Sequence, residues 1–358
     1  MTDFVLSRLM PTTQGKAVAV ITLNNPKALN AQNLAMVKRT HELLNMWRDD
    51  ESVAMIVLHG AGEKGLCAGG DIKALYGDTD GTTAHEFFTH EYGLMYAMHI
   101  YPKPILVWGH GITMGGGMGL FTASSHKVVT QNTLMAMPEV SIGLFPDAGA
   151  SYFLNHLAGK VGLFLGLTGA RFTGADAYAF GVADFSVSHE RFDDVLTHLC
   201  QIDFQDNATN HHLLSACLNE FHDISILADS GLLNAFDDIN TLMNAGSLAD
   251  IDKALKDYQG DDEFIKSAIA LYNHGSDITK AITFKIYHDL KTGKKDHSLR
   301  QIFDLETIIG TACVEKGDFK EGVRALLIDK DKNPNWRYTL SDMPTGYIDE
   351  FFGEASCN

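Results

Sequence analysis

The sequence predicts an α/β fold in which strand–strand–helix turns stack through residues 1–200, followed by a helical region over residues 201–358. Three observations predict it. Strand-like and helix-like stretches alternate from Phe4 to Met137. Two glycine clusters, one from Gly60 to Gly70 and one at Gly115, Gly116 and Gly117, each follow a strand and precede a helix. Beyond about Gly159 the apolar spacing turns helical and stays so to about Leu327.

Taken in order, Phe4 to Met10 and Ala17 to Leu23 read as two strands with Gln14-Gly15 at the turn. Asn24-Asn25-Pro26-Lys27 ends the second. Asn30 is placed to cap a helix running to Trp47, whose apolar residues fall at helical spacing. Val53 to His59 is strand-like, and the glycines that follow form one loop. Asp71 opens the next helical stretch, Gly81-Thr82-Thr83 breaks it, and a helix runs from about Ala84 to Ile100. Strand Ile105–Trp108 leads into the glycine helix, then strand-like Lys127 to Thr130 and Leu134 to Met137. Ala183 to Val187 reads as a last strand among helices at 161–167, 175–180, 191–199, 213–221 and 224–236. Two further helical stretches cover 251–290 and 299–327. Asp261-Asp262-Glu263 suits a helix start, where acids favour the dipole. His211-His212 reads as solvated loop.

The composition, 45% hydrophobic and 20% charged, is that of an ordinary globular chain of 358 residues. A net charge of -17 repels nucleic acid and anionic membrane, and no basic stripe offsets it. The five cysteines, Cys67, Cys200, Cys217, Cys313 and Cys357, lack paired spacing and read as free thiols, with no metal site. No stretch reaches the ~18 apolar residues of a membrane span. The first residues carry neither a secretory core nor an Arg-rich leader, so the expectation is a cytoplasmic protein.

The segment Trp108 to Gly149 concentrates the chemistry. Glycines between strand and helix bring bare N–H groups, backed by the helix dipole, close to a negative charge. A dinucleotide site fits poorly, since Leu120 stands where the third glycine belongs. Glu139 follows Pro138 and Asp147 follows Pro146. Backbone donors plus two acids are the parts of an acyl-group enzyme. Cys67 also borders a glycine turn, but no base is placed near it in the local pattern.

The stretches I-T-L-N-N-P-K-A-L-N-A, C-A-G-G-D-I and G-I-T-M-G-G-G-M-G-L resemble the crotonase (enoyl-CoA hydratase/isomerase) superfamily. M-P-E-V-S-I-G-L-F-P-D-A-G-A-S-Y-F-L, L-T-G-A-R-F-T-G-A-D-A-Y and F-K-E-G-V-R-A-L-L-I-D-K-D-K-N-P-N-W are similar to its 3-hydroxyisobutyryl-CoA hydrolase branch. The resemblance implies a crotonase-like spiral of β-β-α turns with a helical C-terminal region, and acyl-coenzyme A thioesters as substrates. It implies an oxyanion hole from the N–H groups of Gly70 and Gly116. It places coenzyme A contacts on Lys27, Ala28, Leu29, Ala68 and Ile72, with Lys27 as a phosphate partner, and Glu91 at the substrate pocket. No separate cofactor is implied, because coenzyme A is part of the substrate.

Hydratases of this superfamily carry a Glu three residues after the oxyanion glycine; here that residue is Gly119. Their second Glu falls on Glu139, and Asp147 stands where they commonly have glycine. The resemblance therefore implies hydrolysis, of 3-hydroxyisobutyryl-CoA as in valine breakdown or of 3-hydroxypropionyl-CoA. Glu139 would be nucleophile or general base, two roles the sequence leaves open. Asp147 would bind the 3-hydroxyl or position water. Two alternatives stand beside it: an enoyl-CoA hydratase or isomerase using Glu139 alone, and a non-catalytic acyl-CoA-binding subunit. The C-terminal region could replace or build contacts between subunits, so a homo-oligomer is possible.

Overall fold

The computed structural model describes residues 3–291 and 297–357. It contains strands β1 (Val5–Pro11), β2 (Ala17–Leu23), β3 (Val53–Gly60), β4 (Gly65–Cys67), β5 (Ile105–Gly109), β6 (Ile112–Met114), β7 (His126–Val129), β8 (Leu134–Ala136), β9 (Phe172–Thr173) and β10 (Phe185–Ser186). The helices of the first 200 residues are α1 (Leu34–Arg48), α2 (Thr82–His99), α3 (Gly116–Ala123), α4 (Ala150–His156), α5 (Val161–Thr168), α6 (Gly174–Ala179) and α7 (Phe192–Leu199). They are followed by α8 (Asn207–Phe221), α9 (Gly231–Asn234), α10 (Phe236–Met243), α11 (Leu248–Lys256), α12 (Glu263–His274), α13 (Asp277–Lys291), α14 (Leu299–Lys316) and α15 (Phe319–Val323).

The chain forms two compact units, each assembled from separate segments. The first comprises residues 1–70, 94–135 and 172–230. Its larger sheet has the order β1-β2-β3-β5-β7-β10, antiparallel only between β1 and β2. A smaller sheet has the order β4-β6-β8-β9. The pairs β3–β4, β5–β6 and β7–β8 each send their first strand to the larger sheet and their second to the smaller, and neighbouring pairs become neighbouring strands. This is the stacked strand–strand–helix pattern expected. Strands β3 and β5 are buried on both faces, as parallel strands covered on both sides must be, and so read as continuous apolar runs.

The single boundary expected at residue 200 does not describe these units. Val195, Leu196 and Leu199 of α7 and Leu214, Cys217, Leu218 and Phe221 of α8 share one apolar cluster with Val18, Val57, Leu106 and Trp108 of the larger sheet. Burial of that helical face on the sheet carries the first unit on to Ser230.

The second unit comprises residues 71–93, 136–171 and 231–358. In it α5, buried on all its residues, lies among α4, α10, α12 and α13. Gly162 makes the α4–α5 approach possible, since a Cβ there would stand 1.8 Å from the Leu154 carbonyl oxygen. Asp262 caps α12 through Ile265 N–H at 3.0 Å, as the acid run suggested.

Several local expectations are corrected. Asn33, not Asn30, caps α1, accepting from Met36 N–H at 2.9 Å. Asn30 is left-handed (φ 57) and its side chain instead bonds Asn25 N–H and the carbonyls of Ala61 and Gly65. Asp71 leads only into a 3-10 turn, Ile72–Leu75. The three-residue strands β4 and β6 lie inside segments dominated by glycine and were too short to show a period. Residues 224–236 are interrupted rather than continuously helical. His211 and His212 lie within α8, whose start is fixed by Asp206 accepting from Thr209 N–H at 3.0 Å.

Candidate functional site

In the first unit the two glycine turns lie against each other. Gly69 is left-handed (φ 113), and a Cβ on it would come within 3.6 Å of the Gly116 nitrogen. The Gly69 carbonyl accepts from Gln32 N–H at 2.8 Å, which fixes the turn that presents Gly70. Gly115 (φ 52) caps α3, and Gly116 is its first residue, so its N–H is one of the four without an intrahelical acceptor. A Cβ on Gly117 would stand 2.2 Å from the Cys67 carbonyl oxygen, so only glycine lets α3 start this close to β4. The donors expected on Gly70 and Gly116 are thus parts of two adjoining turns at the start of a helix.

Of the expected coenzyme A contacts, Lys27 and Ala28 are exposed on a 3-10 turn and Leu29 follows in the left-handed region (φ 53). Ala68 N–H donates to the Leu29 carbonyl at 3.0 Å, so these two meet directly. Lys27 also borders a groove of about 940 Å³ shared with Arg39, Asn24 and β1. Ile72 belongs to the second unit. Cys67 is fully buried and its Sγ lies 3.4 Å from Gly69 N–H.

The acids assemble in the second unit. Glu139 opens a 3-10 turn, Glu139–Ile142, ended by left-handed Gly143 (φ 70). That turn is pinned by Ser276 N–H donating to the Val140 carbonyl at 3.0 Å. A Cβ on Gly143 would meet the Asp318 carbonyl carbon at 2.4 Å. Asp147 begins a tighter turn in which Ala148 (φ 57) and Gly149 (φ 86) are both left-handed. A non-glycine residue there is strained and needs support from its surroundings. Glu306 of α14 supplies it: Oε2 accepts from Gly149 N–H at 2.7 Å and Oε1 from Ser151 N–H at 3.0 Å. Since Gly149 has no side chain to cap α4, a carboxyl group from a distant helix performs that task. Glu91 and Tyr92 project from α2, whose start Asp78 fixes by accepting from Ala84 N–H at 2.8 Å. The Tyr92 hydroxyl donates to Asp147 Oδ2.

Glu91, Glu139 and Asp147 are 3%, 5% and 5% exposed, and Glu306 is fully buried. Glu91 Oε1 and Glu139 Oε2 are buried with no hydrogen-bond partner among the described residues. Burial, then the charge of Asp147, pushes Glu139 and Glu91 well above the usual carboxylate range. Burial raises Asp147 to about 6, with the Tyr92 hydrogen bond opposing it. Burial pushes Glu306 up to about 8 against the two N–H donors. Buried carboxyls whose charged form is disfavoured and whose oxygens are left unpaired are, once ionised, suited to accepting a proton or attacking an electrophile.

The structure thus brings Glu139, Asp147 and Glu91 into one cluster, as their candidate roles require, and adds Tyr92 and Glu306. Tyr92 adjoins Glu91 in the sequence, and Glu306 falls on the apolar stripe of Ile302, Phe303, Ile309 and Gly310. A carboxylate at core spacing was the available signal for Glu306. Gly119 is buried in α3 and contributes no acid.

The model of the enoyl-CoA hydratase/isomerase family matches residues 18–352. A protein of Xenopus tropicalis named 3-hydroxyisobutyryl-CoA hydrolase, mitochondrial, is 37% identical over 95% of this chain and 87% of its own length. Proteins of the same name from Danio rerio and Homo sapiens are 38% and 36% identical over 94% and 89% of this chain, and 87% and 81% of their own. Among solved structures, a carnitinyl-CoA dehydratase from Mycobacterium thermoresistibile aligns with TM-score 0.86 and 34% identity over 98% of this chain and 96% of that one. An enoyl-CoA hydratase from Rhodobacter sphaeroides aligns with TM-score 0.84 and 29% identity over 98% and 97%. The chain belongs to the enoyl-CoA hydratase/isomerase family. No helix among the described residues is long and apolar enough to cross a membrane.

Proposed function

We propose that this enzyme hydrolyses 3-hydroxyisobutyryl-CoA to 3-hydroxyisobutyrate and coenzyme A, a step of valine catabolism. The observation that carries the reading is the acid set: Glu139 and Asp147 are buried together, while the α3 position that bears an acid in hydratases is Gly119. The shared name of relatives 34–38% identical over most of the chain supports it. Glu139 either attacks the thioester carbonyl to form a mixed anhydride, expelling the thiolate before water cleaves the anhydride, or takes a proton from the attacking water. Both routes consume one water and release one thiol. The N–H groups of Gly70 and Gly116 take the role of donors to the thioester oxygen, where negative charge develops. Asp147 receives the 3-hydroxyl, and Glu91 belongs to the substrate pocket. Release of free thiol from 3-hydroxyisobutyryl-CoA, followed with a thiol reagent, is the direct test; no release would refute the assignment.

The names of the aligned solved structures favour a second reading, hydration or dehydration of an enoyl thioester. Water addition needs one group to deliver hydroxide and another to protonate the α-carbon. With Gly119 in place of the second acid, crotonyl-CoA and methacrylyl-CoA should show negligible loss of enoyl absorbance under conditions where thiol release is fast. Hydration at a comparable rate would move the chain to the other branch.

If Asp147 receives the 3-hydroxyl, Asp147→Gly should slow 3-hydroxyisobutyryl-CoA hydrolysis far more than isobutyryl-CoA hydrolysis. A site built for a hydroxyl discriminates through the polar group left unpaired. Equal losses on both substrates would assign Asp147 to water or proton handling.

A further inference from the structure

Glu91, Glu139, Asp147 and Glu306 are buried together in the second unit, and among the described residues Asp147 alone of these four receives a tyrosine hydroxyl. Tyr92 is 1% exposed, and its ring lies 5.4 Å from that of Phe88, stacked at 15°, and 6.1 Å from that of Phe303. That packing leaves the phenol little freedom, and its O–H is aimed at Asp147 Oδ2. We propose that Tyr92 is a positioning residue for the hydrolysis: it grips Asp147 by one carboxylate oxygen, stabilises the charge on that group and leaves the other oxygen to meet the substrate's hydroxyl. The proposal rests on the reading of Asp147 as the carboxylate that receives the substrate's hydroxyl.

The surroundings make a donor necessary. The groups facing Asp147 are Glu91 and Tyr92 on α2, Glu139 on the 3-10 turn, and Glu306 and Cys313 on α14. None of these is a cation. A carboxylate among acids, out of water, favours its neutral form unless something hydrogen-bonds to the charged one. Tyr92 supplies that bond from a side chain, whereas among the described residues no group bonds Glu139 Oε2 or Glu91 Oε1. A phenol suits the task because it donates without adding a charge that would also act on Glu139. With one oxygen of Asp147 occupied, the carboxylate cannot rotate freely, which fixes the direction from which a hydroxyl can approach the other oxygen.

The test is Tyr92→Phe, which removes one oxygen and keeps the ring. The pH dependence of kcat/KM for thiol release reports ionisations of the free enzyme. Asp147, at about 6 in the wild type, contributes to the acid limb together with Glu139, and its contribution should move up by about one unit, the scale of one hydrogen bond to a charged group. The rate should fall about fivefold at pH 6 and stay within about twofold at pH 8. Phe88→Leu, which loosens the packing and keeps the hydroxyl, should leave the limb in place. A Tyr92→Phe limb that does not move, or a loss equal at both pH values, would overturn the proposal. The carboxyl stretch of Asp147, isolated by infrared difference against Asp147→Asn, gives the same titration without turnover. A shift seen there in a protein that releases no thiol would uphold the Tyr92–Asp147 coupling and refute the hydrolase reading instead.

Discussion

Glu139→Gln should lower kcat on 3-hydroxyisobutyryl-CoA by about a hundredfold or more, the scale of a lost acid–base group, and leave coenzyme A affinity within about twofold. The amide keeps the shape of the side chain but can neither attack a thioester nor hold a proton taken from water. The site should tolerate the change. Glu139 is 5% exposed, Oε2 has no partner among the described residues, and the acids around it disfavour its charge. Replacing it with a neutral group relieves burial and repulsion together, so thermal stability should hold or rise. Thiol release under single-turnover conditions, calorimetric titration with coenzyme A and a melting curve measure the three quantities separately. Full turnover would remove Glu139 from the mechanism, and a parallel loss of coenzyme A binding would indicate a structural effect.

Much of this was legible in the sequence where side-chain pattern and backbone demand coincide. The strands β3 and β5 read as unbroken apolar runs because parallel strands are buried on both faces. The glycine turns were visible because close approach excludes a Cβ: Gly117 faces the Cys67 carbonyl and Gly69 the start of α3. Glu139 and Asp147 stood out beside prolines, in stretches resembling a known branch. What was hidden depends on contacts between distant segments. Glu306 lies 157 residues from the Gly149 N–H that it accepts, and Tyr92 is 55 residues from Asp147. No local period reports such a pair. The division into units was hidden for the same reason, since α7 and α8 stand on either side of the expected boundary and both join the sheet through their apolar faces. Asn30 misled because asparagine serves both as a helix cap and as a left-handed turn residue, and the latter use prevailed.

Glu306→Ala should destabilise the protein by about 2–4 kcal/mol, because two buried N–H groups lose their acceptor at once and each unpaired group costs on the order of 1–3 kcal/mol. Those N–H groups belong to Gly149 and Ser151, where the left-handed turn after Asp147 passes into α4. With the acceptor gone, Ala148 has less to hold it at φ 57, and thiol release should fall along with stability. Glu306→Gln separates capping from charge, since the amide oxygen can still accept one of the two bonds. The sign of its pH dependence follows from burial. The carboxyl is raised from 4.5 to about 8 in the folded protein. The stability it contributes is therefore present in full below about pH 4.5 and is lost as pH rises through 8, because the unfolded chain ionises first. Wild-type stability relative to Glu306→Gln should decline across that window. Urea unfolding of both proteins at pH 5 and pH 8 checks it. A difference that stays constant between those values would mean that the two N–H donors, rather than burial, govern the charge of Glu306, and that it caps α4 as a carboxylate throughout.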